Sequence, residues 1–517
     1  MKRHKFVSRI ILVLIVGVLS FGFFGNKQGS TVQKTAAVEK TSSTTASSGK
    51  VGASFLFNIN NFVLPMNNQG ILAEVTINNG SRNVTLGEFQ GKGVLFAGGF
   101  MMSGYLVDTV TKAKTIFANA VAPASRIQDY SPGRWNADPS DDPQLYVVTR
   151  KDPDFGQSWK DWADAVKMGA SFYDGDGDGV YNPVDKNGNG KWDANEDRPD
   201  FIGDQAVWCV FTDKIVGSQR DWKDQVPVGI DIQRTVFGFQ SAGLLGNMLF
   251  VRYRIINRNA ASPMMDSVFF SIWADPDIGN SADDLCGCDT VRNGGFAYNF
   301  GADNIWGTNP PCFFTTFFQG PIVSIPGETF IDKDGNGVFN AGDTPIDTAV
   351  SILGPLMGAQ KIPGSKNLGI HSFVNYIQSD PNRGDPATGF QAMNYTRGLL
   401  KDGSALNPCT DNFGSVLGLA CTNVNPRYWY SGNVQTNTGW MYTTPSDIRI
   451  MQNIGPFTLY KDQPVDVVVA YVVGRGSDAK SSVKEAQKIS DFAQFLYNRN
   501  FAAPAPPQDV TPIIRTT

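Results

Sequence analysis

Short apolar runs separated by clusters of Asn, Gly and Pro recur along most of the chain. Between residues 51 and 150 they read FLFNI, ILAEVTI, GVLFAGGFMMSGYLV and QLYVVT. Runs rich in β-branched and aromatic residues, bounded by turn formers, predict the strands of an antiparallel layer. Beyond residue 200 the pattern continues as AVWCVFTD, IDIQRTVFGFQ, MLFVRYRIIN, SVFFSIWAD, FTLY and VDVVVAYVVG. Several of these alternate and several are apolar throughout, as in a large sheet or a two-sheet sandwich. Helical spacing is confined to two places. A short polar-aromatic helix fits Trp159 to Met168, and Ser482 with Glu485 reads as a capping box ahead of Val483, Ala486, Ile489, Ala493 and Leu496, which predicts a helix over 482–498.

The ends of the chain read differently. Lys2, Arg3, Lys5 and Arg9 precede an apolar run from Ile10 to about Phe24, the layout of a secretory signal, and the run falls short of the roughly 20 residues a membrane span needs. We therefore expect a signal peptide over 1–25 and a mature protein that leaves the cytoplasm with no membrane span. A Ser/Thr-rich spacer is expected over 26–50, an N-terminal β-rich region over 51–168, a tandem calcium-loop segment over 169–200 and the main sandwich over 201–480. The C-terminal helix then occupies 481–500, and the Pro-rich tail 501–517 resembles an interdomain linker.

Composition narrows the function classes. Of the 44 basic residues four lie in the signal, so 40 remain against 48 acidic ones, a mature net charge of about −8. Nucleic acid is excluded as a partner on that ground, because binding a phosphate backbone needs a basic surface. Glycine at 54 of 517 residues and an aromatic share of 12% fit a β-rich, loop-rich body. The six cysteines lie in the exported part and permit up to three disulfides; Cys409 and Cys421 bracket a Gly/Asn-rich loop and are the expected pair. Cys286 and Cys288 are too close in sequence to bridge easily with each other.

Three windows carry the clearest chemistry. An EF-hand-type calcium loop places oxygen ligands at positions 1, 3, 5, 9 and 12, a backbone carbonyl at 7 and glycine at 6. In the first window Asp174, Asp176, Asp178, Val180, Asn182 and Asp185 take positions 1, 3, 5, 7, 9 and 12, with Gly179 at the turn. Asp185, Asn187, Asn189, Lys191, Asp193 and Glu196 do so in the second, with Gly190. In the third the series is Asp332, Asp334, Asn336, Val338, Asn340 and Asp343, with Gly337. An isolated Asp/Asn/Gly cluster is usually a turn. Three complete windows gather so many anionic oxygens that a cation is needed to offset their repulsion, and oxygen-only ligation selects Ca2+ over zinc or copper.

These windows resemble the calcium loops of thrombospondin type 3 repeats and of dockerins. Sharing of Asp185 by the first two is closer to the overlapping thrombospondin arrangement, so the resemblance implies a metal-braced segment rather than the paired-helix partner face of a dockerin. A broader stretch, through RTVFGFQ, MLFVRYRIINRN, SIWADPDIGNSADDLCGCD and GGFAYN, resembles large uncharacterised secreted proteins of bacteria that use type IX secretion. In those proteins fibronectin-like domains and a sorting domain usually follow a Pro-rich linker; neither stands after it in this sequence.

The function expected is that of a secreted or cell-surface calcium-binding structural or adhesive protein without catalytic activity, with an extracellular glycan or surface protein as its partner. GxSxG, HExxH and GxxxxGK motifs are absent, and His371 is the one histidine after the signal, which removes most imidazole-based acid/base schemes. A carbohydrate-active enzyme or sugar-binding module is the alternative. It would use the acidic loop 275–289, with Asp275, Asp277, Asp283, Asp284 and Asp289, and the aromatic run Tyr428, Trp429 and Tyr430 with Trp440 nearby. That acidic loop could also hold a fourth cation. Spacing in sequence says nothing of carboxylate separation in space, so the plainer reading, an acidic loop at a strand end, is preferred. In sum the chain is expected to be mainly β, a large antiparallel β-sandwich body with Asp/Asn/Gly calcium loops and a short C-terminal helix.

Overall fold

The structure is a computed structural model that describes residues 48–121, 128–378 and 380–502. The expected signal peptide, most of the expected spacer and all but the first two residues of the Pro-rich tail lie outside the described residues. Two large antiparallel sheets make the body, as the apolar runs predict. The first orders its strands Gly49–Lys50, Tyr146–Thr149, Gln205–Thr212, Ile230–Gly238, Met248–Asn257, Val465–Gly474, Cys312–Gln319, Gly294–Asn299 and Asp284–Asp289. The centre of the second runs Ile370–Ile377, Ile448–Tyr460, Met264–Asp275 and Ala97–Val107, continued by short strands between Phe62 and Leu95. The 51–168 segment thus contributes to both sheets: Tyr146–Thr149 pairs with Gln205–Thr212, and Ala97–Val107 pairs with Met264–Asp275.

Aromatic side chains join the sheets face to face. Phe100 of the second sheet meets Phe211 and Tyr253 of the first at ring-centroid distances of 6.2 and 5.7 Å, and Phe62 meets Phe313 at 6.4 Å. Helices cover the outer faces, which explains strands that are apolar on both sides, such as Val467–Val473. On the first sheet lies helix α3, Ala479–Asn498, whose Tyr497 hydroxyl donates to Gln319 Oε1 at 2.9 Å. Helix α2, Gly389–Thr396, which no periodicity announced, packs on the second, with Thr396 and Ser103 hydroxyls 2.6 Å apart. Helix α1, Gln157–Lys167, buries Trp159 and Trp162 at the start of the loop segment.

One detail of α3 corrects the sequence reading. The helix begins three residues earlier than expected, because Asp478 is its N-cap and Ser481 the reciprocal partner: Asp478 Oδ1 accepts from Ser481 N at 2.7 Å, and Asp478 N donates to Ser481 Oγ at 2.9 Å. Ser482 is buried instead and bonds Gly476 N and Pro310 O. Cys409 and Cys421 are bridged, with Cα atoms 5.1 Å apart, while Cys209, Cys286, Cys288 and Cys312 are buried free thiols.

Candidate metal sites

All three Asp/Asn/Gly windows are exposed loops at the tips of two-residue antiparallel ladders, which separate them from any helix. The tandem pair projects between Phe172–Tyr173 and Arg198–Pro199, the third loop between Phe330–Ile331 and Thr344–Pro345. In both ladders a Phe opposes a Pro, and no dockerin-like helix follows either loop. Arg198 anchors the tandem base by lying over the rings of Trp159, Trp192 and Phe201.

Each loop winds by one hydrogen-bond scheme. The position 1 carboxylate accepts from the amides at positions 4 and 6: Asp174 from Gly177 and Gly179, Asp185 from Gly188 and Gly190, Asp332 from Gly335 and Gly337, all at 2.7–2.9 Å. Those six glycines sit at φ between 72° and 78°, which explains glycine at position 4 as well as at position 6. Position 3 accepts from the amide at 5 through Asp176, Asn187 and Asp334, and position 5 from the amide at 7 through Asp178, Asn189 and Asn336. At position 7, Val180, Lys191 and Val338 turn their side chains to solvent, which leaves the backbone carbonyl as the group they can offer.

The closing carboxylate shows where the windows were misjudged. In the second loop Glu196 accepts from Lys186 N at 2.6 Å and Asp193 N at 2.9 Å, the amides of positions 2 and 9. In the third, Asp343 takes Lys333 N and Asn340 N, both at 2.9 Å. The same task in the first loop falls to Asp197, which accepts from Gly175 N at 3.0 Å and Asn182 N at 2.8 Å. Asp185 does not close the first loop; both its oxygens are committed to the turn of the second. The signal for Asp197 was its position beside Glu196, two adjacent acids of which one window could use only one. Both are almost fully buried, at 0% and 1% exposure, unlike the other residues between 174 and 197.

Electrostatics matches this layout. Carboxylate oxygens of Asp174, Asp176 and Asp178 lie within 4.8 Å of one another, as do those of Asp332, Asp334 and Asp343. The ammonium of Lys186, 2.6 Å from Asp176, holds that carboxyl below its ordinary range. Amide donors, first those of Gly190 and Gly337, do the same for Asp185 and Asp332. Asn187 and Asn189 replace aspartates in the second loop and both donate to Asp193, so fewer charges meet there.

The features set aside for sugar chemistry go elsewhere. Trp429, Tyr430 and Trp440 are at most 1% exposed and enclose the ion pair of Arg383 and Asp411, 3.0 Å apart, with Arg383 4.2 Å from the Phe413 ring. Of the acidic loop, Asp289 pairs with Arg292, Asp284 accepts from Ile278 N and Asp283 from Asn299. His371 packs on Phe269, and burial with Arg427 and Arg397 nearby pushes its imidazole down to about 4. Among the described residues no helix is long and apolar enough to cross a membrane. Compared with models of known protein families and with curated protein sequences, the chain matches none.

Proposed function

We propose that this is a secreted or cell-surface calcium-binding protein of structural or adhesive role, whose loops at 174–197 and 332–343 each fold around Ca2+. The observation that carries the reading is the closing carboxylate. Glu196, Asp197 and Asp343 each bridge positions 2 and 9 of a loop whose remaining oxygen donors stand at positions 1, 3 and 5. A simple turn has no use for a carboxylate reaching back across it. The oxygen-only donor set favours a hard cation of flexible coordination. Export and a partner at the cell surface rest on the N-terminal pattern and on the resemblance to secreted proteins. Burial of Trp429, Tyr430 and Trp440 leaves Tyr428 as the one partly exposed ring of the aromatic run, which weighs against the sugar-stacking alternative.

Isothermal titration with calcium and an ion count per chain test the assignment of ligands. Asp197→Ala is expected to remove one ion, from the first loop, and Asp185→Ala one ion, from the second. Loss of two ions in Asp185→Ala with none lost in Asp197→Ala would restore the shared-aspartate arrangement; no calcium uptake by the unaltered chain would end the proposal.

A further inference from the structure

The acidic loop that follows Met264–Asp275 meets a second group of acids across the sheet. Tyr376 stands opposite Arg449 in register, and Ala274 opposite Ile450, so Asp275 follows in the same row as Arg449 and Tyr376. Asp277 and Asp447 stand just beyond those strand ends, each two residues along the chain from Asp275 and Arg449. Oxygens of Asp275, Asp277 and Asp447 lie within 4.8 Å of one another.

One guanidinium serves this whole group. Arg449 reaches Asp275 Oδ2 at 3.2 Å and Asp447 Oδ1 at 3.1 Å, and the charge of Asp385 also bears on Asp275. Four carboxylates therefore face one cation. Two buried oxygens in the row have no hydrogen-bond partner: Asp275 Oδ1, on a residue 2% exposed, and the hydroxyl of Tyr376, on a residue 0% exposed. A buried carboxylate oxygen without a donor is costly to leave unpaired, so it marks a place for a missing positive partner.

We propose that Asp275, Asp277 and Asp447 hold a calcium ion at this end of the second sheet, with Asp275 Oδ1 as a ligand and the Tyr376 hydroxyl as a further oxygen in reach. The donors are oxygens alone, three of them anionic, which suits a hard divalent ion and gives a soft one nothing to bind. Bound there, the ion pins the ends of strands Met264–Asp275 and Ile448–Tyr460 together, between buried Asp275 and half-exposed Asp277 and Asp447.

The site is separable from the loops. In the full chain carrying Asp174→Ala, Asp185→Ala and Asp332→Ala, equilibrium dialysis against millimolar calcium is expected to leave one ion per chain. Adding Asp277→Asn and Asp447→Asn is expected to remove it. Absence of that ion, or its persistence in the combined variant, overturns the proposal whatever the loops do. If the combined variant fails to fold by circular dichroism, Asp277→Asn/Asp447→Asn in the unaltered chain decides: one ion fewer supports the site, and an unchanged count overturns it.

Discussion

Asp129 is an acid in a place that suits its neutral form. It is fully buried, accepts one amide, from Ala120 at 2.8 Å, and lies 3.8 Å from Arg220 Nε. Asp213 competes for the same guanidinium and collects the amides of Val228, Gly229 and Ile230 as well. Burial pushes both carboxyls up to about 6. An aspartate in the unfolded chain titrates near 3.9, so between about pH 4 and 6 the folded state binds the extra proton and stability falls as pH rises through that window. Asp129→Asn keeps a neutral group at every pH. Its stability relative to the unaltered protein should improve by up to about 3 kcal/mol from pH 4 to pH 7, measured by urea unfolding at both; parallel curves would place the proton elsewhere. Single residues were read unevenly from the sequence. Asp174, Asp332 and Asp343 announced themselves by spacing, whereas Asp197 did not, because its loop closes across another loop and fixed spacing is blind to that.

Strands were legible because each sheet needs an apolar face and a turn to end it, and both leave marks in the order of residues. Helix α2 was not. Its eight residues are too few to show a period, and burial between loop and sheet made Ala392 to Thr396 uniformly interior. The start of α3 failed for a narrower reason: two overlapping cap sequences, Asp478 with Ser481 and Ser482 with Glu485, compete for one end. Packing against Pro310 drew Ser482 inward and left Asp478 to cap. Asp478→Ala should therefore lower stability by about 1 kcal/mol, whereas Glu485→Ala, a half-exposed helix position paired with Lys488, should change it by less than about 0.5 kcal/mol. Thermal or urea unfolding of the two variants checks this, and equal losses would return the cap to Ser482.

Taken together, the sheets and the loops rest on different forces. Apolar burial between the sheets does not depend on ions, while the loops hold clustered carboxylates at the end of two-residue ladders. If the loops hold calcium as proposed, at roughly 10⁻⁴ to 10⁻³ M as extracellular-type loops do, each ion would contribute on the order of 1.4 kcal/mol at about ten times its dissociation constant. Chelation should therefore expose Lys186 and Lys191 to trypsin early while the fragment from Phe201 onward persists; simultaneous loss of both would show one cooperative unit instead. The interleaving of 51–168 with the later strands was hidden from the sequence, because nothing in an apolar run names its partner. The nesting of the tandem loops gives them an order of assembly. Glu196 closes a ring of 11 residues, from Lys186, and Asp197, one residue on, a ring of 23, from Gly175, that contains it. Doubling a ring costs about 0.6 kcal/mol of chain entropy, so the inner ring forms first and then serves as a rigid spacer for the outer one. Unwinding runs in reverse: as chelator rises, chymotrypsin should reach Tyr181 of the outer ring before Trp192 of the inner, the segment coming apart like a knot whose last turn is the first to slip.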